Sequence, residues 1–289
     1  MINGFLAIDK PSQWTSHDVV AKVRGIVHQK RVGHAGTLDP AATGLLVLGL
    51  GKATRLLRFI QSEEKEYVAK VAFGVTTDSL DADGSILSRE PMSFDEVELR
   101  QVIERFIGTI AQVPPMVSAV RVGGTRLYEL AREGKEIDRA ARTVEVYDID
   151  VVDFAPGPYP EAVLTVRCGS GTYVRSLAAD IGQALGGGAH LGSLRRTRIG
   201  AIDVEHASTL DEAANDPEAQ LVSMSEGLSH LPVVEVSDAV AETIRNGAQF
   251  PIDAFDTEVS LARLVGQGGE LLAVYGKRKG LWAAEVVVA

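Results

Sequence analysis

The stretch R-V-G-H-A-G-T-L-D-P-A-A-T-G-L-L-V-L-G-L-G-K-A-T, Arg31 to Thr54, decides how the rest of the chain is read. Its second half, Gly44 to Leu50, is a short, continuous, Leu/Val-rich run, the pattern of a buried strand. In the first half, Gly33, Gly36 and Gly44 allow backbone angles that residues with a Cβ avoid. Pro40 disfavours helical geometry at Asp39. The expectation is a stiff, non-helical loop that presents one carboxylate, Asp39, at the mouth of a core strand, where functional side chains are often placed. Asp-Pro pairs also start ordinary turns. This stretch alone therefore leaves a catalytic and a turn-forming Asp39 both open.

Working outward, 289 residues give room for two domains and a sizeable core. Hydrophobic residues at 45% and charged residues at 24% are ordinary for a soluble globular protein. The opening residues lack the apolar stretch of a signal peptide, and no apolar run reaches membrane-spanning length. The single Cys168 has no internal disulfide partner, and no Cys cluster suggests zinc. These features point to the cytoplasm.

The net charge of -10 argues against a polyanionic partner only until its location is considered. Asp203 to Glu242 holds ten acidic residues and no Lys or Arg, so the remainder is neutral overall. Within that remainder basic residues cluster: Lys22, Arg24, Lys30 and Arg31; Lys52, Arg55 and Arg58; Arg195, Arg196 and Arg198; Lys277, Arg278 and Lys279. Each cluster alone reads as a solvated face, yet a bipolar surface can hold a polyanion on its basic side.

Taken in order, residues 4–8 read as a strand. Thr15 or Ser16 caps a helix bearing Val19, Val20, Val23, Ile26 and Val27. A short helix is expected over 52–61 and a strand over 66–73. An Asp-dense loop follows at 76–84; counted from Asp78, the twelfth position is Arg89, so it is no calcium loop. Next come an amphipathic helix over 94–106, an extended segment over 112–124, a helical turn at 128–132, and strands at 143–154 and 162–168. A helix then runs to about Leu185, where three glycines break it. The acidic stretch after Val204 reads as the end of a first domain, 1–230. Residues 231–289 read as short strands plus one helix, 238–246, a small β-barrel or sandwich. The order is not a clean βαβ alternation, so the class is α+β.

Two glycine-rich stretches invite a nucleotide reading, and both fail. A Walker A loop ending at Lys52 needs Gly at 46 and Ser or Thr at 53; the chain has Leu46 and Ala53. At 169–174 the third glycine of a dinucleotide fingerprint is replaced by Val174. No Ser-His-Asp set and no metal-ligand histidine spacing is visible. What remains is a carboxylate, Asp39, with aromatic residues and arginines. Arg175 stands out, because the first turn of a helix favours acids, and an Arg there is better placed beside a carboxylate.

G-H-A-G-T-L-D-P-A-A-T-G-L-L resembles the catalytic motif of the TruB family, the bacterial tRNA pseudouridine-55 synthases. G-F-L-A-I-D-K-P, K-E-Y at 65–67, T-D-S-L-D-A-D-G at 77–84, P-P-M-V-S-A-V, L-Y-E-L-A-R-E-G, C-G-S-G-T-Y-V-R-S-L and G-A-H-L-G-S-L-R-R follow in the family's order. The resemblance covers nearly the first 200 residues. It implies a pseudouridine synthase domain with a central mixed or antiparallel sheet flanked by helices, and a small C-terminal β-rich domain of PUA type. It implies isomerisation of uridine in the tRNA T-loop, without cofactor or metal, by a chain for which a monomer suffices. The alternative is a non-catalytic tRNA-binding or folding protein of the same fold. By resemblance, Asp39 is the essential carboxylate, Tyr67 stacks on the flipped uridine and serves the proton step at C5, and Arg175 pairs with Asp39. His34 contacts RNA near the extruded base, Tyr173 and Leu194 line the uracil pocket, and Lys10 and Pro11 support the catalytic loop. The basic segments at 22–31, 52–58 and 121–142 would then hold phosphates.

Overall fold

The computed structural model of the chain describes residues 1–116, 121–122, 125–126 and 137–289. The helical turn expected at 128–132, with Arg132 and Lys135 of the basic run, lies outside the described residues. The chain forms two compact units, one of residues 1–40, 44–62 and 199–289, the other of 41–43 and 63–198.

In the first unit, β1 (Gly4–Lys10) runs antiparallel to β3 (Thr43–Leu50), with Leu6 opposite Leu48 and Ile8 opposite Leu46. The short β2 (Val32–His34) pairs with the end of β3. The unbroken apolar run in β3 is explained by cover on both faces. Leu46, Leu48 and Leu50 join Leu6 and Ile8 of β1 against Val19, Val20 and Val23 of α1 (Ser16–Ile26). Leu45 and Val47 join Phe5 and Ala7 against α2 (Leu57–Gln61) and the C-terminal strands. Each such buried aliphatic side chain contributes about 1.5–3 kcal/mol. Thr15 caps α1 and shares a reciprocal capping box with Asp18. The helix expected over 52–61 is two pieces, a 3-10 turn over Gly51–Arg55 and then α2.

The acidic stretch after Val204 packs with the first strands of the chain. Leu221 and Val222 pair with β1, and a short helix, Leu210–Asn215, sends Leu210 and Ala213 into the same core as α1. Several of its acids have local work: Glu212 completes a capping box with Thr209, and Glu226 accepts from Ser223 N–H. The C-terminal strands, beginning at Val233, form a five-stranded sheet with helix Asp238–Arg245, around the fully buried Tyr275 and Trp282. Val265, Leu271, Val274, Val286 and Val288 from this sheet share a core with β1, β3 and α2.

The second unit is built on β4 (Lys65–Phe73), whose residues alternate buried and half-buried throughout. Beyond the hairpin formed by β5 (Val75–Thr77) and β6 (Ile86–Arg89) come α3 (Glu96–Ile103) and β7 (Gly108–Gln112). β8 (Arg142–Ala155) and β9 (Glu161–Cys168) precede α4 (Val174–Ala184), and β10 (Ala189–Ile199) follows it. The strand order within the unit is β10-β4-β9-β8-β7, with Tyr67 opposite Val166. Cys168, at the end of β9, is buried. Among the described residues no helix is long and apolar enough to cross a membrane.

Candidate active site

The loop bearing Asp39 spans 35–42, between β2 and β3. Gly36 and Gly44 bracket it with φ of +102° and +96°, angles open mainly to glycine. Gly33 has a different role from the one its sequence suggested. Its φ is not left-handed; a Cβ there would lie 3.1 Å from Leu57, so the residue is small for packing.

Asp39 itself is half-buried, and the residues on either side of it are anchored to the β1–α1 turn. Before it, buried Leu38 donates its N–H to Ser16 Oγ (2.9 Å), and that hydroxyl donates back to the Leu38 carbonyl (3.2 Å). After it, the Pro40 carbonyl accepts from Gln13 N–H (2.8 Å) and from Lys10 Nζ (3.1 Å). Lys10 has no exposed surface, and its Nζ also donates to the carbonyls of Pro11 (2.9 Å) and Trp14 (2.6 Å). Three carbonyls match the three N–H donors of an ammonium, offsetting the cost of burying its charge. His34, the last residue of β2, meets the ring of His17 edge-on with centroids 5.7 Å apart. The first unit thus brings Lys10, Pro11, His34 and Asp39 into one neighbourhood.

The second unit holds Tyr67, Tyr173, Arg175 and Leu194. Tyr67 is buried in β4, and Leu194 is half-buried in β10, the neighbouring strand. Two residues before Tyr67, on the same face of β4, burial and then the Arg196 guanidinium push the Lys65 ammonium down to about 8. Tyr173 caps the start of α4 and is held through its backbone: its N–H donates to Gln112 Oε1 (2.7 Å), and Gln112 Nε2 donates to its carbonyl (3.1 Å).

Arg175, only 4% exposed, donates from Nη1 to the Ser79 carbonyl (3.1 Å) and to Asp81 Oδ2 (3.2 Å). Asp81 is the functional candidate that the sequence reading missed. Its other oxygen accepts from Ser79 Oγ (2.5 Å) and from Asp83 N–H (3.2 Å). The loop is pinned to β10 by Ala82 N–H to the Leu191 carbonyl and Leu191 N–H to the Leu80 carbonyl, both 3.0 Å. Two signals were present: an Arg in a first helical turn that needed a carboxylate, and an Asp-dense loop with no calcium spacing.

The basic clusters divide once their partners are known. Arg55 donates to the Val287 carbonyl (2.7 Å), and Arg58 donates to both the carbonyl and the carboxylate of Glu285. Those two arginines, both still exposed, tie the C-terminal sheet to its own unit. Arg196 is 1% exposed and so is no surface residue. Arg198 pairs with Glu66, and Arg278 with Glu285. Lys22, Lys30, Arg31 and Lys52 remain exposed. Among the described residues no group of three or more His, Cys, Asp or Glu is placed to hold a metal.

Residues 24–174 match the family profile described as TruB family pseudouridylate synthase (N terminal domain). Residues 175–222 match the tRNA pseudouridylate synthase B C-terminal domain. The chain is 42% identical over 296 aligned positions to the tRNA pseudouridine synthase B of Thermobifida fusca, covering 100% of this chain and 99% of that one. It is 44% identical to the protein of the same name from Heliobacterium modesticaldum, covering 86% and 82%. Among solved structures, a chain of a Cbf5-Nop10-Gar1 complex superposes with a TM-score of 0.76 at 29% identity, covering 98% of this chain and 84% of that one. A chain from an H/ACA RNP bound to a substrate RNA containing 2'-deoxyuridine gives 0.74 at 28%, covering 99% and 85%.

Proposed function

Because the chain belongs to the TruB family of pseudouridylate synthases, we propose that it isomerises uridine to pseudouridine at position 55 of the tRNA T-loop, with Asp39 as its essential carboxylate. It is an isomerase acting on uridine in tRNA, as its relatives' names indicate. The observation that carries the role of Asp39 is the anchoring of Leu38 and Pro40 on either side of it. A carboxylate held between two fixed points keeps its geometry when substrate arrives, and such positioning supplies much of an enzyme's rate.

The reaction detaches the base from C1′ at N1 and reattaches it through C5; C5 loses a proton and N1 gains one. A base stacked in an RNA helix is out of reach, so the uridine is extruded at a cost of a few kcal/mol. Stacking on Tyr67 returns about 1–3 kcal/mol. Ionised Asp39 engages the sugar-base junction, and in this reading Arg175 is the guanidinium that keeps it ionised. Asp81 then orients Arg175. Tyr173 and Leu194 line the uracil pocket, and His34 meets the RNA beside it. No cofactor is invoked. Residues 1–230 carry the chemistry, and 231–289 act as a PUA-like RNA-binding domain. The protein works as a monomer in the cytoplasm.

The test is Asp39→Asn with unmodified tRNA. The variant is expected to bind tRNA and form no pseudouridine. Pseudouridine formed at the wild-type rate would overturn the assignment.

A further inference from the structure

The turn that anchors the Asp39 loop also walls a hollow of about 310 Å³ in the first unit. It is lined by Asp9, Pro11 and Trp14, by Lys22 of α1, and by Leu210 and Asp211. Its volume is at the lower end for small-ligand pockets. Half-buried Trp14 packs against the α1 core and also faces the hollow. The isomerisation described above uses the side chains of none of Trp14, Lys22, Leu210 and Asp211.

Their chemistry is that of a base subsite. An indole face stacks any base. Carboxylates accept from exocyclic amino groups, as in the recognition of the cytosine amine by Asp or Glu. Lys22 offers an ammonium to a phosphate, and its presence in the wall disfavours a cationic occupant. We propose that this hollow holds one unpaired nucleotide of the RNA substrate, a base with an exocyclic amino group, stacked on Trp14 with its amine toward Asp211 and its phosphate toward Lys22. The proposal rests on the RNA substrate assigned above and adds a second contact to it. The carbonyls of Pro11 and Trp14 that hold Lys10 Nζ belong to the backbone and are kept when the Trp14 side chain is replaced.

The chain has two tryptophans, and Trp282 has no exposed surface, so quenching by an added ligand reports Trp14. Oligocytidylate is expected to quench the emission of the full-length protein saturably, and oligouridylate to do so more weakly. Asp211→Asn is expected to level the two. In turnover assays Trp14→Ala is expected to raise KM for tRNA roughly 5- to 150-fold, the loss of one base stack, with kcat little changed. Trp14→Phe is expected to restore most of the loss. Equal quenching by the two oligonucleotides, quenching by an alkyl diamine alone, an unaltered KM in Trp14→Ala, or a defect in kcat alone would each overturn the subsite. Pseudouridine formation by the wild-type protein in the same assay tests the underlying function separately. Thermal melting of each variant separates lost contacts from lost fold.

Discussion

Lys10→Met removes the ammonium beside the catalytic loop while keeping side-chain length. Each carbonyl bond to the charged Lys10 Nζ contributes about 1.5–3 kcal/mol, so the gross loss for three is about 5–9 kcal/mol. Against that, the variant no longer buries a charge, which costs several kcal/mol in the wild type. The Pro40 carbonyl keeps the Gln13 N–H, whereas the carbonyls of Pro11 and Trp14 lose this donor, at about 1–3 kcal/mol each. The balance is a destabilisation of about 2–4 kcal/mol, which at roughly 2–4 °C per kcal/mol lowers Tm by roughly 4–16 °C. Pro40 then has one anchor instead of two. A displacement of about 1 Å in a catalytic group costs on the order of 100-fold in rate. We therefore expect kcat for pseudouridine formation to fall by about that factor while tRNA affinity, measured by filter binding, changes little. Wild-type melting together with wild-type kcat would refute the clamp. Wild-type kcat with lowered melting would confine Lys10 to folding.

Two further outcomes follow from the second unit. Asp81→Asn removes an ionic partner of Arg175; losing one charged hydrogen bond of about 1.5–3 kcal/mol predicts a kcat lower by roughly 10- to 150-fold with unchanged tRNA binding, and unaltered single-turnover rates would refute it. For Lys65, the folded value of about 8 lies below the ordinary 10.5, so the unfolded chain holds a proton that the folded chain has released anywhere between the two. The penalty for burying the ammonium is complete below pH about 8 and is relieved as pH rises toward 10.5. Chemical denaturation should show that Lys65→Met lacks this rise in stability, and parallel pH profiles for the two proteins would contradict it.

Much of the site was legible because its residues impose local backbone constraints. Gly36, Pro40 and Gly44 announce a rigid loop, and the run from Gly44 to Leu50 announces a strand covered on both faces. The roles assigned to Tyr67, Arg175 and the rest came from family resemblance, since a Tyr in a strand or an Arg in a helix carries no role by itself. β10 escaped notice because Ala189–Ile199 carries three arginines with His, Gly and Ser interspersed, and neither alternation nor an apolar run. Its Arg196 is tolerable in the interior only through the fold around it, which a charge count does not register. The packing of the acidic stretch was not legible for a related reason. Net charge describes solvent-facing side chains, whereas Leu210, Ala213 and Leu228, spaced among the acids, decide that the segment folds back into the core. The acceptors of Arg55 and Arg58, Val287 and Glu285, were not legible because they lie more than 200 residues away in sequence.

Cys168 has a practical consequence. It lies buried at the end of β9, and burial pushes its thiol up to about 11. Little of the reactive thiolate form exists at neutral pH, and reagents have no route to it. A cysteine introduced at an exposed position such as Ser88 should take up a maleimide dye almost exclusively, with the native residue left in place. The chain is thus ready for site-specific fluorescent labelling, and loop motions during RNA engagement can be followed one molecule at a time.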